Sequence, residues 1–414
     1  MTIKDISLNK IGYKLLLAFI VICPIFYDTV NQGRISLRLA EEQFYQLGAT
    51  VLFAIVFLEN VYLSAFLLWS IFIYCYYGFP SIGGNYVMNI FWSCVVYQIT
   101  YKLITEENAK AIFKCVLWLG VVCIFFIILQ RFGLDFIYLR NADKAYNLDF
   151  VGIFGLKAFM GIFMAICAAM AAPSCLWLSA LFLIPAYFSE CSVAVLAIVV
   201  VIIFNAYHKS RKLFITLFIL FGLLAAGYGI HDYVPQKGQM FIDRVSLWKV
   251  SLRDAAKHPI IGWGLDSYRN VGSFKNFLYF KNNRTQESRA ISYEALKINQ
   301  ETGKFPPMGD FIKEGDSINP WDHPHNEFIS LFYEFGFIGC LIIWLFFYDI
   351  QKRFVVLNDL LTCAGVFIVF IVTSLSQFPI HLAKFAVFAM VFLGIYYKLT
   401  DIFKNKIGDF LNGT

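Results

Sequence analysis

Long runs of apolar residues recur on both sides of one polar stretch and constrain the fold more than any other feature. A helix that crosses a bilayer needs about 20 mostly apolar residues, within a range of about 17–25. Runs of this kind lie near residues 11–28, 44–58, 60–77, 84–104, 108–130, 150–171, 174–188, 190–206, 212–230, 327–349, 354–376 and 378–398. The second, seventh and eighth runs are short, so a count of ten or eleven also fits. Only helices and closed barrels satisfy the backbone in lipid, and continuous apolar runs exclude a barrel. The sequence therefore predicts an all-α polytopic membrane protein with about twelve transmembrane helices.

The composition excludes several other classes of protein. Of the 414 residues, 59% are apolar and only 15% are charged, too few polar residues to cover a soluble domain of this length. The net charge of +6 comes without a basic run interleaved with aromatic residues, so nucleic acid is not an expected partner. The ten cysteines form no Cys-x-x-Cys pair, which argues against a cysteine-based metal site.

The positions of lysine and arginine predict how the helices are oriented. With the N-terminus inside and the first apolar run retained, twelve of these residues lie on the cytoplasmic side: Lys4, Lys10, Lys102, Lys110, Lys209, Arg211, Lys212, Lys352, Arg353, Lys398, Lys404 and Lys406. The opposite short loops carry five, namely Arg34, Arg38, Arg131, Arg140 and Lys144. The chain thus divides into helices 1–9 over residues 1–230, an outer loop over 231–326, and helices 10–12 with a cytoplasmic tail over 327–414.

The first segment with candidate chemistry lies in the outer loop. It begins with Arg-x-x-x-Trp at Arg244 and Trp248 and continues to His-Pro-x-x-Gly-x-Gly at residues 258–264. The pattern predicts a helix that ends at His258, because a proline disfavours helical backbone in the residue before it. The two glycines of the second motif predict a tight bend.

The second segment lies where the outer loop meets the tenth predicted helix. It reads Trp-Asp-His-Pro-His-Asn-Glu over residues 321–327 and is followed by Glu-x-Gly-x-x-Gly over residues 334–339. Two histidines and two acids at the mouth of a membrane helix are costly unless they are used, so this cluster predicts a functional site.

Together the two segments resemble the O-antigen ligase and polymerase superfamily, which also includes protein O-oligosaccharyltransferases. The resemblance covers roughly residues 150–350 by motif and the whole chain by topology. It implies about twelve transmembrane helices with one large periplasmic loop between helices 9 and 10, in the inner membrane of a bacterium.

The resemblance also implies a reaction and its principal residues. The enzyme would transfer a glycan from a polyprenyl-diphosphate donor to a hydroxyl acceptor at the periplasmic face, with no metal and no cofactor. In the family the histidine directly before the asparagine is essential, which is His325 here, and Arg244 matches an arginine that binds the diphosphate. The chemistry of these residues agrees, because histidine can act as a base near neutral pH and arginine binds phosphate oxygens in bidentate fashion. A satisfied structural histidine remains the alternative for His325.

Further residues of the two segments are expected to support this site. His323 could orient His325 or cap the helix that follows. The other supporting candidates are Trp248, Asp266, Asn326 and Glu327. For Glu327, a solvated charge is an equally good interpretation.

The chain departs from the family pattern at the outer end of the eighth predicted helix. The family has a Ser-Arg pair there, and its arginine helps to bind the diphosphate, whereas this chain has Ser192 at that position with Glu190 nearby. Lys157 and Lys384 are predicted to lie within the membrane near the same face, so one of them could supply the missing cation. Alternatively these lysines pair with Glu190 or extend to the membrane surface.

The sequence leaves several functions open. Lipid A–core as the acceptor would make the protein a ligase, a growing glycan would make it a polymerase, and a protein side chain would make it an oligosaccharyltransferase. The non-enzyme alternatives are a transporter of lipid-linked sugars and an inactive relative that binds polyprenyl lipid. Transport is less expected because the charges gather near one face of the membrane.

Overall fold

A computed structural model describes residues 60–77, 81–131, 157–189, 191–228, 234–268, 324–355, 357–375, 377 and 383–411 of the chain. The first two predicted transmembrane helices, most of the predicted periplasmic loop and His323 lie outside the described residues. The side chain of Lys384 also lies outside them, although its backbone belongs to a helix.

The described residues form helices and no strands. In chain order the helices are α1 (Val61–Tyr76), α2 (Ser81–Leu103), α3 (Glu106–Arg131), α4 (Lys157–Ala171), α5 (Leu176–Leu181), α6 (Leu183–Phe188), α7 (Ser192–Lys209), α8 (Arg211–Tyr228), α9 (Val234–Ala255), α10 (Glu327–Lys352), α11 (Asn358–Ser374) and α12 (Ala383–Leu411).

Among these, four helical segments are long and apolar enough to cross a membrane: Glu106–Gln130, Ser192–Lys209, Glu327–Lys352 and Phe385–Ile407. Four shorter apolar helical segments also occur, at Val61–Tyr74, Lys157–Ala171, Leu176–Phe188 and Asn358–Ser374. A multi-pass membrane protein is therefore supported, whereas the total of about twelve transmembrane helices and the large periplasmic loop stay predictions.

Two helix boundaries differ from the prediction for local reasons. The seventh predicted helix, near 174–188, is divided into α5 and α6, because Pro185 lacks an N–H for the carbonyl of Leu181 and its ring crowds that carbonyl. The helix that was predicted to end at His258 ends at Ala255, and a tighter turn follows in which the His258 N–H donates to the Ala255 carbonyl.

The chain divides into two compact units. The first unit comprises Met1–Ser64, Asn89–Ile230 and Phe346–Thr414, and the second comprises Ala65–Met88 and His231–Leu345. In the first unit, α4 is buried without interruption from Phe159 to Ala171 and packs against α7 and α11. A helix that is apolar on all sides is suited to such a central position.

A polar network in the first unit joins α2, α10 and α12. Arg353 donates from Nε to Asp349 Oδ2 and from Nη1 to Asp401 Oδ1, each at 2.9 Å. Tyr101 and Tyr397 donate their hydroxyls to the same two carboxylates, each at 2.7 Å. Charge-assisted bonds of this kind are stronger than neutral ones, so the network fixes the ends of three helices together.

Candidate functional site

The helix α9 presents Arg244 and Trp248 on one face. These residues are four positions apart, so their side chains lie one helical turn apart, with Cβ atoms about 5–6 Å from each other. Both side chains are half-buried, and the Nε atom of Arg244 is itself buried. On the opposite face, Lys249 and Arg253 are exposed. The Arg-x-x-x-Trp motif therefore faces the protein, and Lys249 and Arg253 do not.

Trp248 connects α9 with the histidine segment. Its indole Nε1 donates to the carbonyl oxygen of Pro324 at 2.8 Å, although the two residues are 76 positions apart in the chain. His325 follows Pro324 directly. The second unit thus brings the two motifs of the sequence together.

His325 lies in a left-handed turn immediately before α10. Its φ angle is 50°, in a region that non-glycine residues adopt infrequently. The residue is half-buried and its imidazole Nδ1 is buried. Backbone strain of this kind persists where the surrounding structure enforces it, and it is found most often at functional sites.

Asn326 ends the turn and caps the helix. Its Oδ1 accepts a hydrogen bond from the Ile329 N–H at 3.1 Å, and its carbonyl accepts the Ser330 N–H at 3.0 Å. Asparagine is among the best N-cap residues, because its side chain satisfies one of the free N–H groups of the first helical turn. Glu327 begins the helix and is buried, which excludes the interpretation of this residue as a solvated charge.

Gly336 interrupts α10 nine residues after its start. Its φ and ψ angles are 64° and −166°, a conformation that is almost exclusive to glycine. In a continuous helix the Phe337 N–H would bond to the Tyr333 carbonyl, and the Ile338 N–H would bond to the Glu334 carbonyl. The break at Gly336 separates both pairs.

The His-Pro-x-x-Gly-x-Gly segment satisfies the groups that this break leaves free. Trp263 donates its N–H to the Tyr333 carbonyl at 2.7 Å, and Gly264 donates to the Glu334 carbonyl at 3.3 Å. In return, the N–H groups that follow the break donate to two carbonyls of the segment: Phe337 to Pro259 at 2.8 Å and Ile338 to Ile260 at 3.4 Å. We call this arrangement, formed by residues 259–264 and 333–338, the glycine junction.

Close approach of the two backbones explains the glycines of the junction. A Cβ atom on Gly262 would lie 2.5 Å from the Glu334 carbonyl oxygen, and one on Gly336 would overlap the Ile260 carbonyl. The predicted tight bend is confirmed, since Gly262 and Gly264 have φ angles of 84° and 99°. Two more residues also bond to the junction: Trp69 of α1 donates to the Phe335 carbonyl at 3.1 Å, and Tyr77, directly after α1, donates to the Gly262 carbonyl at 2.5 Å.

A second polar contact joins α9 to α10. The hydroxyl of Tyr333 donates to Asp254 Oδ2 at 2.8 Å, and the Lys257 ammonium group bonds to Oδ1 of the same carboxylate at 2.9 Å. Tyr333 packs against Tyr268, whose hydroxyl forms a 2.9 Å hydrogen bond with Ser251 of α9. The sequence interpretation did not identify Asp254 or Tyr333, because neither stands in a recognisable motif.

The remaining predicted residues occupy different positions. Asp266 is buried in the second unit and has a φ angle of 55°, so its conformation is constrained, as that of His325 is. Lys157 is the first residue of α4 in the first unit and is half-buried. Lys384 is the second residue of α12, also in the first unit.

Lys157 lies on the face of α4 that packs against Ser189 and Cys191. Gly161, one helical turn later on this face, approaches these two residues so closely that a Cβ atom would lie 2.5 Å from Ser189 Oγ and 2.7 Å from the Cβ of Cys191. Ser192, where the family pattern predicts an arginine, follows Cys191 and begins α7. The candidate cation and the altered position therefore belong to neighbouring helix ends of the first unit.

The second unit thus holds a constrained imidazole, a partly buried guanidinium and the helix contacts that connect them. In the part of the chain that the structure describes, no three His, Cys, Asp or Glu side chains lie close enough together to hold a metal ion. A comparison with curated proteins gives no match to this chain. A family model described as O-antigen ligase matches residues 87–345, which include both motifs and more than half of the chain. The chain therefore belongs to the O-antigen ligase family.

Proposed function

We propose that the protein is a membrane glycosyltransferase that moves a glycan from a polyprenyl-diphosphate donor to a hydroxyl of lipid A–core at the periplasmic face of the bacterial inner membrane. The observation that carries this proposal is the hydrogen bond between Trp248 and Pro324, which holds the helix of Arg244 next to the turn of His325. A cation for the leaving group and a base for the acceptor are thereby available in one unit of the protein.

The reaction follows from the chemistry of these two groups. An imidazole nitrogen of His325 takes the proton of the acceptor hydroxyl, and the oxygen attacks the anomeric carbon of the donor sugar. The bond from this carbon to the diphosphate breaks, and the diphosphate leaves with the electron pair. Arg244 stabilises the negative charge that develops on the phosphate oxygens. A single displacement of this kind inverts the configuration of the anomeric carbon.

Arg244→Met tests the assignment of the phosphate-binding cation. We expect transfer in proteoliposomes that contain a polyprenyl-diphosphate-linked oligosaccharide to fall by roughly 10-fold to 100-fold, because a hydrogen bond to a charged group contributes about 1.5–3 kcal/mol. Arg253→Met is the matched control, since Arg253 lies on the same helix but is exposed. Equal activity of the two variants at equal protein amounts would exclude Arg244 from the site.

Lys157 is proposed to replace the family arginine near Ser192. Its position on the face of α4 that packs against Ser189 and Cys191, directly before Ser192, supports this role. We expect Lys157→Met to weaken the apparent affinity for the donor by about 10-fold, as for loss of a phosphate contact. Lys114 of α3 is exposed, so Lys114→Met provides the control.

Lys384→Met is the parallel variant for the second candidate. If Lys157→Met and Lys384→Met each kept full activity and full donor affinity, neither lysine would be the replacement for the missing arginine.

A polymerase is the second candidate function. The observation that favours it is Ser192, because a chain without the arginine of the ligase pattern fits a divergent member of the family. Mass spectrometry of the reaction product separates the possibilities: a glycan on lipid A–core indicates a ligase, a lengthened glycan on polyprenyl diphosphate indicates a polymerase, and a glycosylated protein indicates an oligosaccharyltransferase. Movement of the lipid donor between leaflets without transfer would indicate the transporter.

A further inference from the structure

We propose that Asp254 and Tyr333 are positioning residues, and that the hydrogen bond between them sets the separation of Arg244 and His325. This inference rests on the proposed function, because it assigns a role in the same site. Neither residue is part of the two sequence motifs, and their contact belongs to the described residues of the second unit.

Two contacts join α9 to α10 and to the turn before it. Trp248 bonds to Pro324, just before the start of α10 at Glu327, and Asp254 bonds to Tyr333. Six residues separate Trp248 from Asp254, a rise of about 9 Å along α9, whereas nine separate Pro324 from Tyr333, the last six of them within α10. The two segments therefore run side by side in the same direction. The contact between Trp248 and Pro324 lies near one end of the paired segments, and the contact between Asp254 and Tyr333 lies near the other.

The contact between Asp254 and Tyr333 is enclosed by protein. Tyr333 is fully buried, and the side chain of Asp254 is 8% exposed. The indole Nε1 of Trp263 donates to the Asp254 carbonyl at 3.0 Å, and the Trp263 ring stacks on that of Tyr333. A hydrogen bond to a buried carboxylate is stronger than an exposed one, and its loss leaves a charged group without one of its donors.

The role is positional, because Asp254 is remote from the reacting groups. It lies ten residues after Arg244 on α9, which corresponds to about 15 Å along the helix. A diphosphate bound by Arg244 and a hydroxyl beside His325 would both lie near the contact between Trp248 and Pro324. Asp254 and Tyr333 can therefore influence the reaction only through the alignment of the two helices.

Tyr333→Phe removes the hydroxyl and keeps the ring, so it tests this role directly. We expect kcat for glycan transfer to fall by about 10-fold or more while the KM for the donor stays unchanged, because a displacement of about 1 Å in a catalytic constellation can lower the rate about 100-fold. Asp254→Asn keeps an oxygen that can accept the tyrosine hydroxyl, and we expect it to retain at least half of the wild-type kcat.

Lys257→Met is the matched control for the charge of Asp254. The side chain of Lys257 is 62% exposed, so its ion pair with Asp254 contributes little, and kcat should not change. The two variants thus test the two bonds of the Asp254 carboxylate one at a time: Tyr333→Phe removes the bond to Oδ2, and Lys257→Met removes the bond to Oδ1.

Hydrogen exchange gives a readout that does not depend on activity. In Tyr333→Phe, peptides that contain the Trp263 and Phe337 amides should exchange faster, whereas α7 in the first unit should be unchanged. Unaltered exchange together with unaltered kcat would overturn the proposal. Loss of kcat that only follows the loss of folded protein would also overturn it, because the role would then be structural. The wild-type protein and a His325→Asn variant, assayed in parallel, distinguish the two levels. Absence of transfer by the wild-type protein contradicts the proposed function, and full transfer by His325→Asn excludes His325 as the base, whatever the exchange data show.

Discussion

His325→Asn is expected to lower glycan transfer by about 100-fold to 10,000-fold, the range that a general base contributes. Asparagine cannot accept the hydroxyl proton, yet it tolerates the left-handed backbone that position 325 requires, where φ is 50°. An alanine at this position would combine loss of the base with a backbone cost of about 1–2 kcal/mol. The asparagine variant therefore tests the chemistry with the smallest structural disturbance.

The measurement compares transfer in proteoliposomes at equal protein amounts, with the thermal unfolding temperature as a check on folding. His208→Asn is the control, because His208 lies at the end of α7 in the first unit, among Phe204 and Phe354. Full activity of His325→Asn would show that this histidine is structural and that another group acts as the base. Absence of transfer by the wild-type protein would instead favour the transporter or the inactive relative.

Gly336→Ala is expected to lower the stability of the second unit by several kcal/mol, on the order of the backbone strain and the lost hydrogen bonds together. The φ and ψ angles of 64° and −166° are accessible almost only to glycine, and forcing another residue into them costs about 1–3 kcal/mol. The added Cβ would also overlap the carbonyl of Ile260, which is part of the backbone and cannot rotate away. The chain relieves this strain by undocking residues 259–264, and four hydrogen bonds of the glycine junction are then lost.

Gly222→Ala is the control for this change, since a Cβ atom on Gly222 of α8 meets nothing within 4 Å. Replacement of a helical glycine by alanine in open space is neutral or stabilising by about 0.5–1 kcal/mol. Thermal unfolding of the purified protein in detergent should therefore show a lower transition temperature for Gly336→Ala and an unchanged or higher one for Gly222→Ala. The same transition temperature for Gly336→Ala and wild type would mean that α10 accepts a continuous helix at this point.

Helix positions follow from the sequence because burial in lipid requires long apolar runs. The predicted runs 60–77, 84–104 and 108–130 correspond to α1, α2 and α3 within three residues at each end. Pro185 divides a predicted helix in two, and the reason is local chemistry that a hydropathy pattern averages away. The break at Gly336 lies inside an apolar run and was not predicted, because hydropathy carries no information about the φ angle.

The candidate site was only partly accessible from the sequence. The motifs identify His325 and Arg244, but the contact that brings them together depends on Trp248 and Pro324, which are 76 residues apart. Such pairings are decided by tertiary packing and have no local signature. Asp254 and Tyr333 are common residue types at unremarkable spacing, so nothing in a single sequence separates them from surface residues. Gly262 and Gly336 each indicate in the sequence that another backbone could approach closely. The sequence does not indicate that these two positions contact each other.

The glycine junction also affects the order in which the protein can assemble during synthesis. A ribosome makes residues 259–264 before it makes residues 333–338, so the docking segment has already left the ribosome when the interrupted helix emerges. The break in α10 exposes backbone groups that cost several kcal/mol each when they are left unsatisfied in hydrocarbon. Since their partners are made first, the helix can bind them as soon as it is inserted. If the two segments were made in the reverse order, the backbone groups at the break in α10 would have no partners in the bilayer until residues 259–264 were made.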